Sequence, residues 1–271
     1  MNKSHPVFFY RIFGIIFKST IPLPECVVEL GTTNFDVEIK VTPTLPEVSE
    51  VILAKDYYCI SEAAYLINIA PIARYYVFKG QEIWVHPYPQ SDELLLRRYL
   101  LSRVLSVLFF QRGSYPLQAA AIWGDKEQGL LLTGKSAYAR SILPAHYSPI
   151  LMSAYLCALT DGMQIATGYP FPSEKRLAYR SVFLSHFILV ELVTGEGLEF
   201  QLKELKGAEA KIGLLQRNLA YRDVLSKLPP RKNVNSLKEY LKLKAFQLAL
   251  PPNSFCLKTL LQKINSLLHE H

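Results

Sequence analysis

The segment Gly129-Leu-Leu-Leu-Thr-Gly134-Lys135-Ser136 satisfies the pattern G-x-x-x-x-G-K-[ST]. In a phosphate-binding loop that pattern folds backbone N–H groups, one ammonium and one hydroxyl around a nucleotide triphosphate. The chemistry such residues could serve is phosphoryl transfer. The four residues between the glycines are of the wrong kind for it. Leu130, Leu131, Leu132 and Thr133 read as a buried strand rather than a turn. Gly129 reads better as the end of a turn, Gly124-Asp-Lys-Glu-Gln-Gly129, between two hairpin strands.

Other reactive residue types form no second constellation. Cys26, Cys59, Cys157 and Cys256 stand alone with no CxxC pair, as reduced thiols in a cytosolic protein do. The six histidines lack ligand spacing, and His86, before Pro87-Tyr88-Pro89, reads as a surface or satisfied histidine. No metal site is expected. No Ser/His/Asp or Cys/His grouping supports a different enzyme chemistry.

The elements that must position these residues follow from periodicity. Residues 7–90 read mainly as strands: Tyr10–Thr20, stopped by Ile21-Pro-Leu-Pro24; Phe35–Val41; Val51–Ser61; and Ala73–Phe78 joined to Glu82–His86 through the turn Lys79-Gly80-Gln81. A helix over 92–110, capped by Ser91, is apolar enough to be buried all round. After the hairpin, Ser141–Pro144 is a brief helical piece and Ile150–Leu159 a central strand running to the turn Asp161-Gly162. Gln164–Ala166 is short, Gly168–Pro172 is loop, and Arg180–Val193 leans to strand. Helices are expected over Gly207–Leu228, Leu237–Leu250 and Phe255–Leu268.

Half of the 271 residues are hydrophobic and 20% charged, the profile of a globular chain. The net charge of +7 is concentrated after residue 202, where thirteen Lys and Arg face five Asp and Glu. That balance suits an acidic peptide, a nucleotide or an anionic surface, and suits better a solubilising charged face on amphipathic helices. No motif for nucleic acid accompanies it. The apolar start PVFFYRIFGIIF carries Arg11 and is too short to span a bilayer, as is Tyr99–Phe110 with Arg103. No secretory signal is evident, so a cytoplasmic location without a transmembrane segment is expected.

Several motifs together resemble a known family. Tyr10-Arg-Ile-Phe-Gly14, Ser19 and Ile21-Pro-Leu-Pro-Glu25 open it; Ala73-Arg74, Gly80-Gln-Glu-Ile-Trp-Val85, Arg98-Tyr-Leu-Leu101, Gln111-Arg-Gly113 and Pro116-Leu117 continue it. Weaker likeness returns at Tyr169-Pro170 and in 217–222. This chain resembles the bacterial serine kinases related to HPr kinase/phosphorylase, which include lasso-peptide precursor kinases of natural-product and envelope gene clusters. The resemblance implies an α/β (α+β) fold: a β-rich region over 1–90, then over 91–271 a P-loop core like that of phosphoenolpyruvate carboxykinase, with basic C-terminal helices. It also implies transfer of a phosphate from ATP, with Mg²⁺, to a serine hydroxyl.

Three signatures of that chemistry differ here. Gln118 stands where the family has a histidine, and an amide does not exchange a proton near neutral pH. In the loop, a gapless alignment from Thr133 puts Tyr138 at a glycine, Ala139 at the lysine and Arg140-Ser141 at the Ser-Thr pair. Alternatively, Gly134-Lys135-Ser136 is the true tail of a shortened loop. Ser153-Ala154 stands at the aspartate pair that serves the metal and the attacking hydroxyl, and neither residue can ionise to do so. The resemblance therefore implies a degenerate nucleotide site (Gly134, Lys135, Ser136, Arg140) without catalytic residues or cofactor. The protein is expected to bind a peptide or protein partner, possibly acidic, in a biosynthetic or envelope-modifying system. The alternative is an active ATP-dependent serine or peptide kinase with a rearranged loop and Mg²⁺ on another carboxylate.

Overall fold

A computed structural model describes residues 6–12, 14–123, 129–134, 157–160, 164–167, 181–183, 187–194, 198, 201–227, 235–250, 262 and 266. The fold is mixed α/β, with large sheets and few helices, and divides into two compact units, Met1–Ser114 and Tyr115–His271.

The first unit is built on nine strands: β1 (Phe8–Ile12), β2 (Ile15–Ser19), β3 (Val27–Val28), β4 (Val37–Val41), β5 (Leu53–Lys55), β6 (Tyr58–Ile60), β7 (Ala64–Ile69), β8 (Ala73–Phe78) and β9 (Glu82–Pro87). They form one sheet in the order β3-β1-β2-β4-β9-β8-β7-β6-β5. Pairing is antiparallel except at β2–β4 and β4–β9. Two stretches expected as single strands are hairpins. Tyr10–Thr20 folds back at Gly14 (φ 75°), which brings Ile12 opposite Ile15. Val51–Ser61 folds back between Lys55 and Tyr58. The Lys79-Gly80-Gln81 turn forms as expected, with Phe78 opposite Glu82.

Alternation assigns the two faces of this sheet. Phe17, Ile39, Tyr58, Ile67, Tyr75 and Val85 point into the core. The helical stretch runs through α1 (Glu93–Tyr99), a π-helical turn at Leu100–Val104, and α2 (Leu105–Gln111). Its cap is Asp92, not Ser91: the carboxylate accepts from the Leu95 N–H at 2.9 Å. All seven residues of α2 are buried. The Tyr75 hydroxyl donates to the Leu96 carbonyl (2.9 Å), and the Gln111 side chain accepts from the Gly80 N–H (2.7 Å), tying the helix to the β8–β9 turn.

In the second unit, β10 (Ala119–Trp123) and β11 (Gly129–Gly134) form the expected hairpin. Three short strands, β12 (Cys157–Thr160), β13 (Gln164–Thr167) and β14 (Ser181–Phe183), make a separate antiparallel sheet. The strand expected over Ile150–Leu159 as a central one is thus, in its described part, an edge of this small sheet; residues 150–156 lie outside the described residues. So do the expected elements at Ser141–Pro144 and Gly168–Pro172, and all of Phe255–Leu268 but residues 262 and 266, which are helical.

The main sheet of this unit is completed by β15 (Phe187–Thr194), β16 (Gln201–Glu204) and β17 (Ala245–Leu250), in the order β10-β11-β15-β17-β16. Its three inner strands β11, β15 and β17 are parallel. Gly207–Leu228 is not one helix but α3 (Ala208–Arg217) and α4 (Arg222–Leu225), because Tyr221 takes a left-handed conformation (φ 52°) between them. Leu237–Leu250 is not one helix either. α5 (Asn235–Lys242) ends, the Lys211 ammonium donates to the Leu241 (2.9 Å) and Leu243 (2.5 Å) carbonyls, and the chain becomes β17. Leu117, Ala119, Leu131, Leu189, Leu214, Leu215, Tyr240 and Ala245 form the core between helices and sheet.

Candidate functional site

Open sheets with parallel strands bind ligands beyond the carboxyl ends of those strands. Here that edge begins at Gly134, the last residue of β11, paired in register with Leu192 of β15. Ala119 faces Thr133 in the last pair of the β10–β11 hairpin, and Gln118 and Gly134 are the residues next to that pair in the chain. The structure thus brings together two sequence-predicted positions, Gln118 and Gly134. Lys135, Ser136, Arg140, Ser153 and Ala154 lie outside the described residues.

Leu130, Leu131, Leu132 and Thr133 are strand residues. They pair with β10 on one side and with Ile188 to Glu191 of β15 on the other. Leu131, Leu132 and Thr133 have no exposed surface. Strand pairing on both sides engages the backbone N–H groups that a phosphate nest would need. Gly134 has φ 130°, and a Cβ there would collide with the Leu192 carbonyl oxygen. Glycine at this point serves a close crossing of two backbones.

Beside Thr133 lies a residue that the sequence reading missed. Glu191, in the middle of β15, is 4% exposed. Its Oε1 accepts from Arg217 Nε (3.0 Å) and Asn218 Nδ2 (2.9 Å), and its Oε2 from Arg217 Nη2 (2.7 Å) and Gln247 Nε2 (3.0 Å). Burial pushes this carboxyl up, but the three hydrogen-bonding side chains and the Arg217 charge outweigh it and hold it below the usual carboxylate range. Arg217 is held correspondingly higher by the same pair. The Gln118 N–H donates to the Asn218 carbonyl (2.8 Å), so this position is linked through Asn218 to the Glu191 cluster.

A carboxylate has about four lone-pair positions. All four at Glu191 are taken by protein donors, two of them in a bidentate arginine pair. The group therefore locks β15, β17 and the end of α3 together; it has no free oxygen for a cation or a substrate proton. A signal was present in the sequence, since Phe187-Ile-Leu-Val-Glu191-Leu-Val places a lone charge inside an apolar strand. A charge so placed requires a partner, and Arg217 was within the helix already read.

Among the described residues no group of three His, Cys, Asp or Glu side chains is arranged to hold a metal, and no helix is long and apolar enough to cross a membrane. His86 Nδ1 lies 3.1 Å from the Thr42 carbonyl, a satisfied histidine. No family model matches the chain, and comparison with curated proteins finds no match.

Proposed function

We propose that this protein is a catalytically degenerate relative of the HPr kinase/phosphorylase-type serine kinases. It acts as a peptide- or partner-binding accessory protein in a biosynthetic or envelope-modifying system. The observation that carries this reading is β11: the residues matching a phosphate loop are an inner strand hydrogen-bonded on both sides. The buried carboxylate on the strand paired with it, Glu191, is saturated by its own neighbours. Phosphoryl transfer rests on positioning and charge neutralisation, and neither group supplies them.

The test is thermal unfolding with and without ATP and Mg²⁺. A ligand at a hundred times its Kd adds about 2.7 kcal/mol to stability, a shift of several degrees. No shift is expected at millimolar nucleotide; a rise of several degrees would overturn the reading.

One observation favours the alternative of an active serine or peptide kinase using ATP and Mg²⁺. Gly134 ends a parallel strand, at the edge where such sheets bind ligands, and Lys135-Ser136 are next in the sequence. Phosphate transferred from labelled ATP to an acidic peptide, and lost on Lys135→Ala, would establish it.

A further inference from the structure

In the first unit, on the face of the sheet opposite Tyr58, Ile67 and Tyr75, strands β6, β7 and β8 form the floor of a cavity of about 290 Å³. Its polar lining is Lys55, Asp56, Asn68, Arg74 and Tyr88. Asn68 and Arg74 are directly opposed across the β7–β8 pair, so both rise from the same face. Cys59 and Leu66 are opposed one row away on that face and form the apolar part of the floor. Lys55 ends β5, and Asp56 begins the turn to β6.

Donors dominate this cavity. The Tyr88 hydroxyl donates to Asn68 Oδ1 at 2.8 Å, which occupies the amide's acceptor and leaves its N–H₂ to face a ligand. Among the described residues neither Arg74 nor Lys55 has an ion-pair partner. By contrast the cations elsewhere on this sheet, Arg11, Lys18 and Lys40, are each held by a glutamate. Two unpaired cations and an oriented amide face a single carboxylate, Asp56. A planar carboxylate is the group that a guanidinium fork and an amide N–H₂ recognise together.

Size and surroundings narrow the carrier. The volume is at the lower end of ligand pockets, enough for one side-chain head group rather than a large cofactor. Lys55, which lines the cavity, ends β5, and among the described residues β5 is the last strand of its sheet, with no further strand paired beyond it. Ile52 (54% exposed) and Tyr57 (40% exposed) flank that strand with apolar surface. We infer that this cavity binds a carboxylate side chain of an acidic peptide, with Arg74, Lys55 and Asn68 as its ligands. The inference rests on the peptide-binding reading only for what carries the carboxylate.

The experiment measures binding of a fluorescent glutamate-rich decapeptide to the full chain by anisotropy, with glutarate, glutaramide and inorganic phosphate as competitors. Hydrogen bonds to charged groups contribute roughly 1.5–3 kcal/mol, so Arg74→Gln and Lys55→Gln should each weaken binding about tenfold or more. Lys206→Gln, the same charge change on an exposed side chain of the second unit, should leave it unchanged. Glutarate should displace the peptide and glutaramide should not. Lys55 is exposed, so its substitution leaves the fold intact even if Arg74→Gln does not. Peptide binding indifferent to both substitutions would overturn this site while leaving the peptide-binding reading standing. Displacement by phosphate but not glutarate would overturn the carboxylate assignment. No binding of the peptide at all would overturn the site's assigned ligand, whereas the ATP melt alone decides the degenerate-kinase reading.

Discussion

In the first unit, Lys18, Glu38, Lys40 and Glu82 run across the outer face of the sheet as partly exposed ion pairs at 2.8–3.8 Å. In the second, Glu191 lies inside the sheet's packing with Arg217 at 2.7 Å and two amides completing its shell. The pairs are of similar length and differ in what surrounds them. Exposed pairs exchange water for each other at little net gain. A buried carboxylate has lost water altogether, so its partners become a condition of folding. The first unit also holds a mostly buried pair, Arg97 Nε with Glu25 Oε1 at 2.8 Å, so the contrast is one of surroundings within each fold. The first unit joins most of its strands through short local turns and pairs only β2, β4 and β9 in parallel, while the second is centred on three parallel strands.

The largest expected effect follows from breaking the buried pair. Arg217→Met should destabilise the second unit by about 3 kcal/mol, the lower end for a buried pair, because Arg217 is 45% exposed and Glu191 keeps its Asn218 and Gln247 donors. Urea unfolding combined with amide exchange along β15 measures it, with β8 as the unaffected reference. A loss under about 1 kcal/mol would mean that burial makes no difference here. Acid should find the same weak point. The Glu191 carboxyl is held below its unfolded value, so its contribution is complete above the ordinary carboxyl pKa of about 4.3. It is lost as pH falls from there through the depressed folded value. Exchange protection of β15 should therefore decline below about pH 4.3, and Glu191→Gln should flatten that decline.

What the sequence showed, and what it hid, follows the same division. Phe35–Val41 alternates and is a strand; Lys79-Gly80-Gln81 is the turn its composition requires; Leu130–Thr133 reads and folds as buried strand. These are local features. Ala245–Leu250 was hidden because the apolar residues of α5 run on at helical spacing in the sequence. Only its parallel pairing with β15 and antiparallel pairing with β16 makes it a strand. Glu191 was hidden for a related reason, since its partners Arg217, Asn218 and Gln247 lie 26 to 56 residues away. The cationic cavity was likewise invisible while Val51–Ser61 read as one strand and β7 was unrecognised. Asn68 and Arg74 meet only once both strands are paired.

A second, smaller contrast concerns glycine. Gly134 and Gly31 both have positive φ, 130° and 78°, but only Gly134 has backbone against it; nothing lies within 4 Å of where a Cβ at Gly31 would stand. Gly31→Ala should cost only the conformational strain, about 1 kcal/mol. Gly134→Ala should add the collision with Leu192, for a total of about 1–3 kcal/mol or more. Thermal unfolding of each variant, with exchange to assign the unit affected, makes the comparison. Equal losses would mean that the β11–β15 crossing is not tight.

The smallest effect is expected at the exposed ladder. The Lys40 ammonium lies 3.1 Å from Glu82, 3.8 Å from Glu38 and 4.2 Å from the centre of the Trp84 ring, three favourable contacts on one side chain. Even so, its side chain and that of Glu82 are each about one-third exposed, and water and salt screen both. A double-mutant cycle of Lys40→Met with Glu82→Gln should give a coupling of about 0.2–1 kcal/mol that shrinks in 1 M salt. The Trp84 contact contributes about 0.5–1 kcal/mol separately and should persist in the Glu82→Gln background, since the ring needs no counter-charge. A coupling approaching that of Arg217 and Glu191 would show that this face is shielded from water, and that the contrast between the units lies in strand connectivity rather than in the placement of charge.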